Sequence, residues 1–299
     1  MVKNNKKKVD NRISYNRNFF TVFITTILIL YTLIMGIVML WAFLTSFKDG
    51  FFEYESNKFL PPKKWVLENY QLAFTKLYVP VGARKVYMPE MFSNSFLIAF
   101  CGTIISVLSH MAVAYVCARF KFKILNVIYA IVIVVMFIPI VGSLPASLRV
   151  RKALGFYDNF LGHMVNHIGF TGTSFLIFYA TFSSIDMGYT EAAKIDGANN
   201  FYIMARVIFP LSLPTALGMG LLSFIGSWNE YTTQMIYLPS MPTLSYGLYL
   251  FQTFRSGGEA ILPTTKVAAC FVVCIPIIIL FCIFRNKIMG NITLGGIKG

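Results

Sequence analysis

Glu191-Ala192-Ala193-Lys194-Ile195-Asp196-Gly197-Ala198, running on to Pro210-Leu211-Ser212-Leu213-Pro214, is a mostly polar island between long apolar segments. Thr190 is placed to cap a short helix, and Glu191 in its first turn suits the positive end of the helix dipole. Ala192, Ala193 and Ala198 keep the surface small enough for close approach by another protein. Gly197 supplies a turn at no steric cost. A second helical segment is expected to run to Pro210, with Phe201, Met204 and Ile208 spaced along one face. Two short helices joined by a glycine make a plug for a socket on another chain. The plainer reading, an ordinary connection between two membrane helices, stays open on these residues alone.

Apolar segments flank the island and dominate the rest of the chain. The chain has 299 residues, 57% of them hydrophobic and only 13% charged, where soluble domains carry about 25%. Phe alone contributes 29 residues, and the mean hydropathy is +0.66. These values predict an all-α membrane protein. A net charge of +14 would suit nucleic acid, but the basic residues fall between apolar spans, which fits anchoring at membrane surfaces. The five cysteines lie inside those spans without zinc-ligand spacing and read as small apolar residues.

Six spans are expected, at about 19–45, 92–118, 124–147, 160–183, 214–236 and 263–284, with the island at 184–210 between the fourth and fifth. Residues 1–18 form a basic tail suited to anionic lipid, 19–284 the transmembrane domain, and 285–299 a C-terminal tail. The first apolar run is too long for a cleaved signal peptide, and Trp41 near its end suits an interfacial anchor. In the loop 46–91, Leu67, Tyr70, Phe74 and Leu77 recur at helical spacing, which predicts a helix lying along the membrane surface or on other subunits. Gly102, Ser106, His110, Ala114 and Cys117 form a narrow stripe that permits close helix packing. Pro139 and Pro145 predict a kink or an unwound end of the third span, and Pro276 lies within the sixth.

The island, with a proline about a dozen residues beyond Ala198, resembles the EAA loop of permease subunits in binding-protein-dependent ABC importers. Asn94-Ser95, Ala114-Tyr115 and Ala118-Arg119-Phe120 are similar to that family's second-helix pattern. Trp228-Asn229-Glu230-Tyr231 and Gly295-Gly296-Ile297-Lys298-Gly299 resemble its carbohydrate branch, in particular the second permease subunit of maltose-type systems. Two departures stand out: Asp186, where the family usually has proline, and Met204, where a bulky aromatic is common.

The resemblance implies a type I importer fold in the bacterial cytoplasmic membrane, with both termini cytoplasmic. Glu191, Ala192, Ala193, Asp196, Gly197 and Ala198 would be the ATPase-coupling residues. The partners would be a second homologous permease subunit, two ATPase subunits, an extracytoplasmic substrate-binding protein and a carbohydrate, with an oligosaccharide expected. Positive charge supports this orientation only weakly, so the orientation rests on the resemblance.

No P-loop, HExxH, G-x-S-x-G or paired carboxylate motif is found, so the chain is not expected to be an enzyme. It is expected to hold no cofactor of its own, with ATP and Mg bound by the partner ATPases. No metal is expected either; His163 and His167 lie four apart but lack a third ligand in sequence. Ser223, Ser227, Glu230 and Gln234 recur at i, i+4, i+7 and i+11 with Asn229 beside them. This polar stripe reads either as part of a translocation path or as glue between helices. The resemblance implies that the outer loop holding Tyr246, Tyr249, Phe251, Phe254 and Arg255 faces the binding protein, which makes these residues contact candidates, while a merely solvated loop stays open on the residues alone. Arg149, Arg151, Lys152 and Arg255 fit either an acidic saccharide or an acidic partner surface or lipid headgroups. The rival functions are an ion-gradient-driven secondary transporter, which would need an ionisable relay, and a membrane-embedded enzyme, which would need a catalytic constellation.

Overall fold

The computed structural model describes residues 19–138, 142–253 and 261–292. The described residues are mostly helical. Helix α1 spans Phe19–Ser46, and α2 (Gly50–Ser56) and α3 (Glu68–Lys76) follow. A hairpin of β1 (Tyr78–Val81) and β2 (Arg84–Tyr87) pairs Val79 with Val86 and leads into α4 (Met88–Arg119). Next come α5 (Lys123–Phe137), α6 (Leu144–Ala153), α7 (Phe160–Val165), α8 (Thr173–Ser184) and α9 (Gly188–Ile195). The short α10 (Asn200–Tyr202) runs into a π-helix at Ile203–Ile208 and then α11 (Phe209–Leu211). Helices α12 (Leu213–Asn229), α13 (Thr232–Tyr237), α14 (Leu244–Thr253) and α15 (Pro263–Ile292) complete the fold.

Each of the six expected spans holds an apolar helix, in the order α1, α4, α5, α8, α12 and α15. Segments Phe19–Ser46, Met88–Arg119 and Pro263–Phe284 are long and apolar enough to cross a bilayer unaided. The other three spans are shorter than expected because polar or irregular residues interrupt them. Helix α5 ends at Phe137, and α6 begins anew with Pro145 in its first turn. Pro139 lies outside the described residues. The expected helix at 160–183 is two, α7 and α8, with Asn166–Gly172 between them. The expected helix at 214–236 ends at Asn229 and resumes at Thr232.

Helix α4 is the axis of the bundle, packed between α8 and α12, with α15 beyond α12. The small-residue stripe on α4 is what the broken segment rests on. A Cβ at Gly102 would lie 2.7 Å from the His167 ring, so only glycine admits it. His110 reaches Ser106 O on its own helix and Thr171 O across the gap at 3.1 Å. Irregular backbone is tolerated at membrane depth only where protein or a cavity satisfies it. Within lipid, such close packing and hydrogen bonding replace the hydrophobic drive that would join helices in water.

The 46–91 segment is more ordered than its sequence suggests. Leu77, Val79, Val86 and Met88 are buried with Met91 and Trp228, while Leu67 and Phe74 stay exposed. Asn69 is the hub of this cap. Its Nδ2 donates to Ser46 O and Lys48 O, and its Oδ1 accepts from Thr264 and Thr265 at 2.9 and 3.2 Å. The end of α1, the start of α15 and α3 are thereby clasped by one side chain. Trp41 donates to Lys58 O at 2.7 Å, anchoring the same end of α1.

Candidate coupling site

At the end of the bundle opposite this cap, α8 delivers the chain into the polar island. Thr190 does not cap the helix as expected. It is buried, and its hydroxyl has no hydrogen-bond partner. Helix α9 begins two residues earlier, at Gly188, whose N–H donates to Asp186 Oδ1 at 2.6 Å. A carboxylate there satisfies one of the free N–H groups of the first turn and opposes the helix dipole.

The far end of α9 accounts for the Asp-Gly-Ala triplet residue by residue. Asp196 is the C-cap and Gly197 follows with φ +81°. Gly197 N–H donates to Lys194 O and Ala198 N–H to Ala193 O, both at 3.0 Å. These two bonds, with Ala193 and Ala198 both packed on the same core, make a Schellman stop. Residues Ala193 and Ala198 are half-buried against their own chain, and their remaining surface lines a shallow cleft on the outside of the loop. Glu191, Ala192, Asp196 and Gly197 do face outward.

Asn199 opens the second limb, its Oδ1 accepting from Tyr202 N at 2.8 Å. The expected single face of Phe201, Met204 and Ile208 does not form. Ile208 is buried and Phe201 is exposed, because the intervening turn is a π-helix with a wider period than 3.6 residues. Ile203 and Ile208 plug into a core with Phe175, Phe178 and Phe182, and Tyr115 of α4 stacks edge-on to Phe182 and Phe209. The chain then bends by 75° into α12.

The outcome is a rigidly seated knob whose tip is apolar. Ile195 is 86% exposed and Phe201 73%, with Tyr202 beside them. A shallow cleft of about 450 Å³ lies between Asp196–Asn199 and Tyr202. Sequence periodicity missed Ile195 and Tyr202 as parts of this tip. Their signal was bulky apolar residues inside a polar island.

The remaining candidates separate. Helix α12 ends before Glu230, so Ser223, Ser227, Glu230 and Gln234 do not form one stripe. The exposed Glu230 carboxylate instead accepts from Thr232 N and Thr233 N, capping α13. Ser223 is half-buried and Asn229 exposed, while Gln234 is buried. The Ser227 hydroxyl is enclosed without a hydrogen-bond partner.

In α14, Phe251 is buried in the main core, so it is not available to a binding protein. Tyr246 packs against the same core, and Tyr249 stacks on Tyr231 with centroids 4.5 Å apart. Phe254 and Arg255 lie outside the described residues. His163 and His167 pack edge-to-face, and His163 is only 1% exposed.

Comparison with known proteins fits this arrangement. Residues 102–293 match the model of the family described as binding-protein-dependent transport system inner membrane component. The sulfoquinovosyl glycerol transport system permease protein SmoH of Agrobacterium fabrum is 26% identical over 87% of this chain and 88% of its own length. The diacetylchitobiose uptake system permease protein NgcG of Streptomyces coelicolor is 25% identical over 90% and 86%. A solved structure of a bacterial ABC transporter that imports the acidic polysaccharide alginate superposes with a TM-score of 0.72. It covers 92% of this chain and 98% of its own at 23% identity.

Proposed function

We propose, from the premise that the chain belongs to the family of inner membrane components of binding-protein-dependent transport systems, that it is one permease subunit of an ATP-driven carbohydrate importer. The observation that carries this reading is the knob at 188–202: a short helix with a complete stop, an exposed apolar tip and deep anchors in the bundle. Such a body suits docking into a groove of an ATPase and moving as one piece when that groove closes. Residues Glu191, Ala192, Asp196 and Gly197 would face the ATPase, with Ala193 and Ala198 holding the shape. The knob would then lie on the cytoplasmic side, and six crossings would put both termini on that side as well.

The complete assembly would hold a second, homologous permease subunit, two ATPases carrying ATP and Mg, and an extracytoplasmic binding protein above the Asn69 cap. Loaded binding protein and ATP would each favour one of two states, giving alternating access. Relatives named for saccharide or glycoside transport support a carbohydrate, and an oligosaccharide is the favoured class. Ser223, Ser227, Asn229, Glu230 and Gln234 remain path candidates as two groups on either side of the α12–α13 break. Within the basic outer group, Arg151 already lies over the Tyr237 ring at 4.1 Å and Lys152 over Tyr157 at 4.9 Å. Arg149 is exposed and is the better candidate for meeting an acidic saccharide.

The test is uptake into proteoliposomes containing the whole complex. Uptake that requires internal ATP and external binding protein supports the proposal. Uptake that follows an ion gradient without ATP contradicts it. Competition between neutral and uronate-containing oligosaccharides in the same assay decides the charge of the substrate.

A further inference from the structure

The Ala118-Arg119-Phe120 motif is not used by the docking knob itself, yet it touches the knob's root. Arg119 is the last residue of α4, and its Nη1 donates to Met187 Sδ. Met187 is the N-cap of α9. Asp186, which holds the first N–H of α9, lies within electrostatic reach of the same guanidinium. Arg119 Nε and Nη2 are enclosed and have no hydrogen-bond partner. Enclosed donors without acceptors are costly, so the fork retains capacity to bind an acceptor that moves toward it.

The other end of the same helix lies far away. Helix α4 has 32 residues with proline only in its first turn, so it extends about 48 Å without interruption. Near its start, Asn94 Nδ2 donates to Pro242 O, and Ser95 Oγ accepts from Leu244 N, the first residue of α14. Helices α7 and α8 are separate elements, as are α12 and α13, whereas α4, α1 and α15 are continuous, and α4 is the one that ends at the Arg119 bonded to Met187. A displacement of α9 that reaches Arg119 is thus delivered by a continuous rod to the segment holding α14.

We propose that Arg119 is a positioning residue that couples the 188–202 knob to α4, with Asp186 as the acceptor its free donors meet when the knob moves. The inference rests on the ATPase-docking reading above. Its test compares wild type, Arg119→Leu, Arg119→Lys and Asp186→Asn as full complexes. The readouts are the amount of co-purified ATPase and the ratio of ATP hydrolysis with and without loaded binding protein. Asp186→Asn keeps the amide oxygen that caps Gly188 and removes only the charge.

The expected result is ATPase retained at wild-type stoichiometry in all three variants. The stimulation ratio should fall about tenfold in Arg119→Leu, within the usual range of coupling between sites. It should fall less in Asp186→Asn and Arg119→Lys. An unchanged ratio in Arg119→Leu and Asp186→Asn overturns the inference while leaving the importer reading intact. So does a loss of assembly in Arg119→Leu with a full ratio in Asp186→Asn, since Arg119 would then serve folding alone. A wild type that carries no ATPase overturns the importer reading, and this inference with it.

Discussion

The two ends of the bundle are built on different principles. The 188–202 knob is held by bonds between near neighbours: Gly188 to Asp186, Gly197 to Lys194, Ala198 to Ala193 and Tyr202 to Asn199. The cap at the other end is held by Asn69, which joins residues as distant in sequence as Thr264 and Thr265. A unit made of local bonds keeps its shape when its surroundings shift, which suits a part that docks and moves. A clasp made of distant bonds resists separation of the elements it joins, which suits a fixed frame. The contrast teaches that rigidity here is local at the knob and global at the cap.

The contrast is sharpest where the cap meets the core. Phe251→Ala should destabilise the protein by about 3–5 kcal/mol, the range for truncating a core aromatic, seen as a lowered unfolding temperature in detergent. A residue that served only to contact a binding protein would leave that temperature unchanged. Asn69→Ala should come next, at about 3 kcal/mol, since it strands two carbonyls and two hydroxyls that share one side chain. Limited proteolysis should show new cuts within 47–87, while ATPase co-purification persists.

At the knob, effects should be smaller and confined. Gly197→Val forces a β-branched residue into left-handed backbone at a cost of about 1–2 kcal/mol. Unfolding of the whole protein should barely shift, yet ATPase retention in mild detergent should fall. Asn199→Ala removes one cap worth about 1 kcal/mol and should weaken retention least. Hydrogen exchange should then show faster opening at 200–203 alone. If either knob variant unfolds the bundle as Phe251→Ala does, the claim of local construction is broken.

This difference also explains what could be read from the sequence. The knob was legible as two short helices around a glycine because its determinants lie within a few residues of each other. Its outward face was only partly legible: spacing cannot show that Ala193 and Ala198 close a Schellman stop against each other, nor that a π-turn throws Phe201 outward. The apolar spans were legible from composition, but their breaks were not. Glu230 sat at helical spacing in a continuous pattern, and only the fold shows it capping α13 instead. The β-hairpin escaped notice because its strands are four residues each and their burial depends on α14 and α4. The clasp at Asn69 was invisible for the same reason, since its partners are brought together only by the tertiary fold.

The central claim is that the knob docks an ATPase, and co-purification from native membranes tests it most directly. The comparison is between wild type and the double variant Glu191→Ala/Gly197→Pro. Proline cannot adopt the φ of +81° at this position and removes the N–H that meets Lys194 O. The account predicts that wild type brings down a second permease subunit and an ATPase, and that the double variant keeps the permease partner and loses the ATPase. A double variant that retains its ATPase at wild-type stoichiometry would contradict the account.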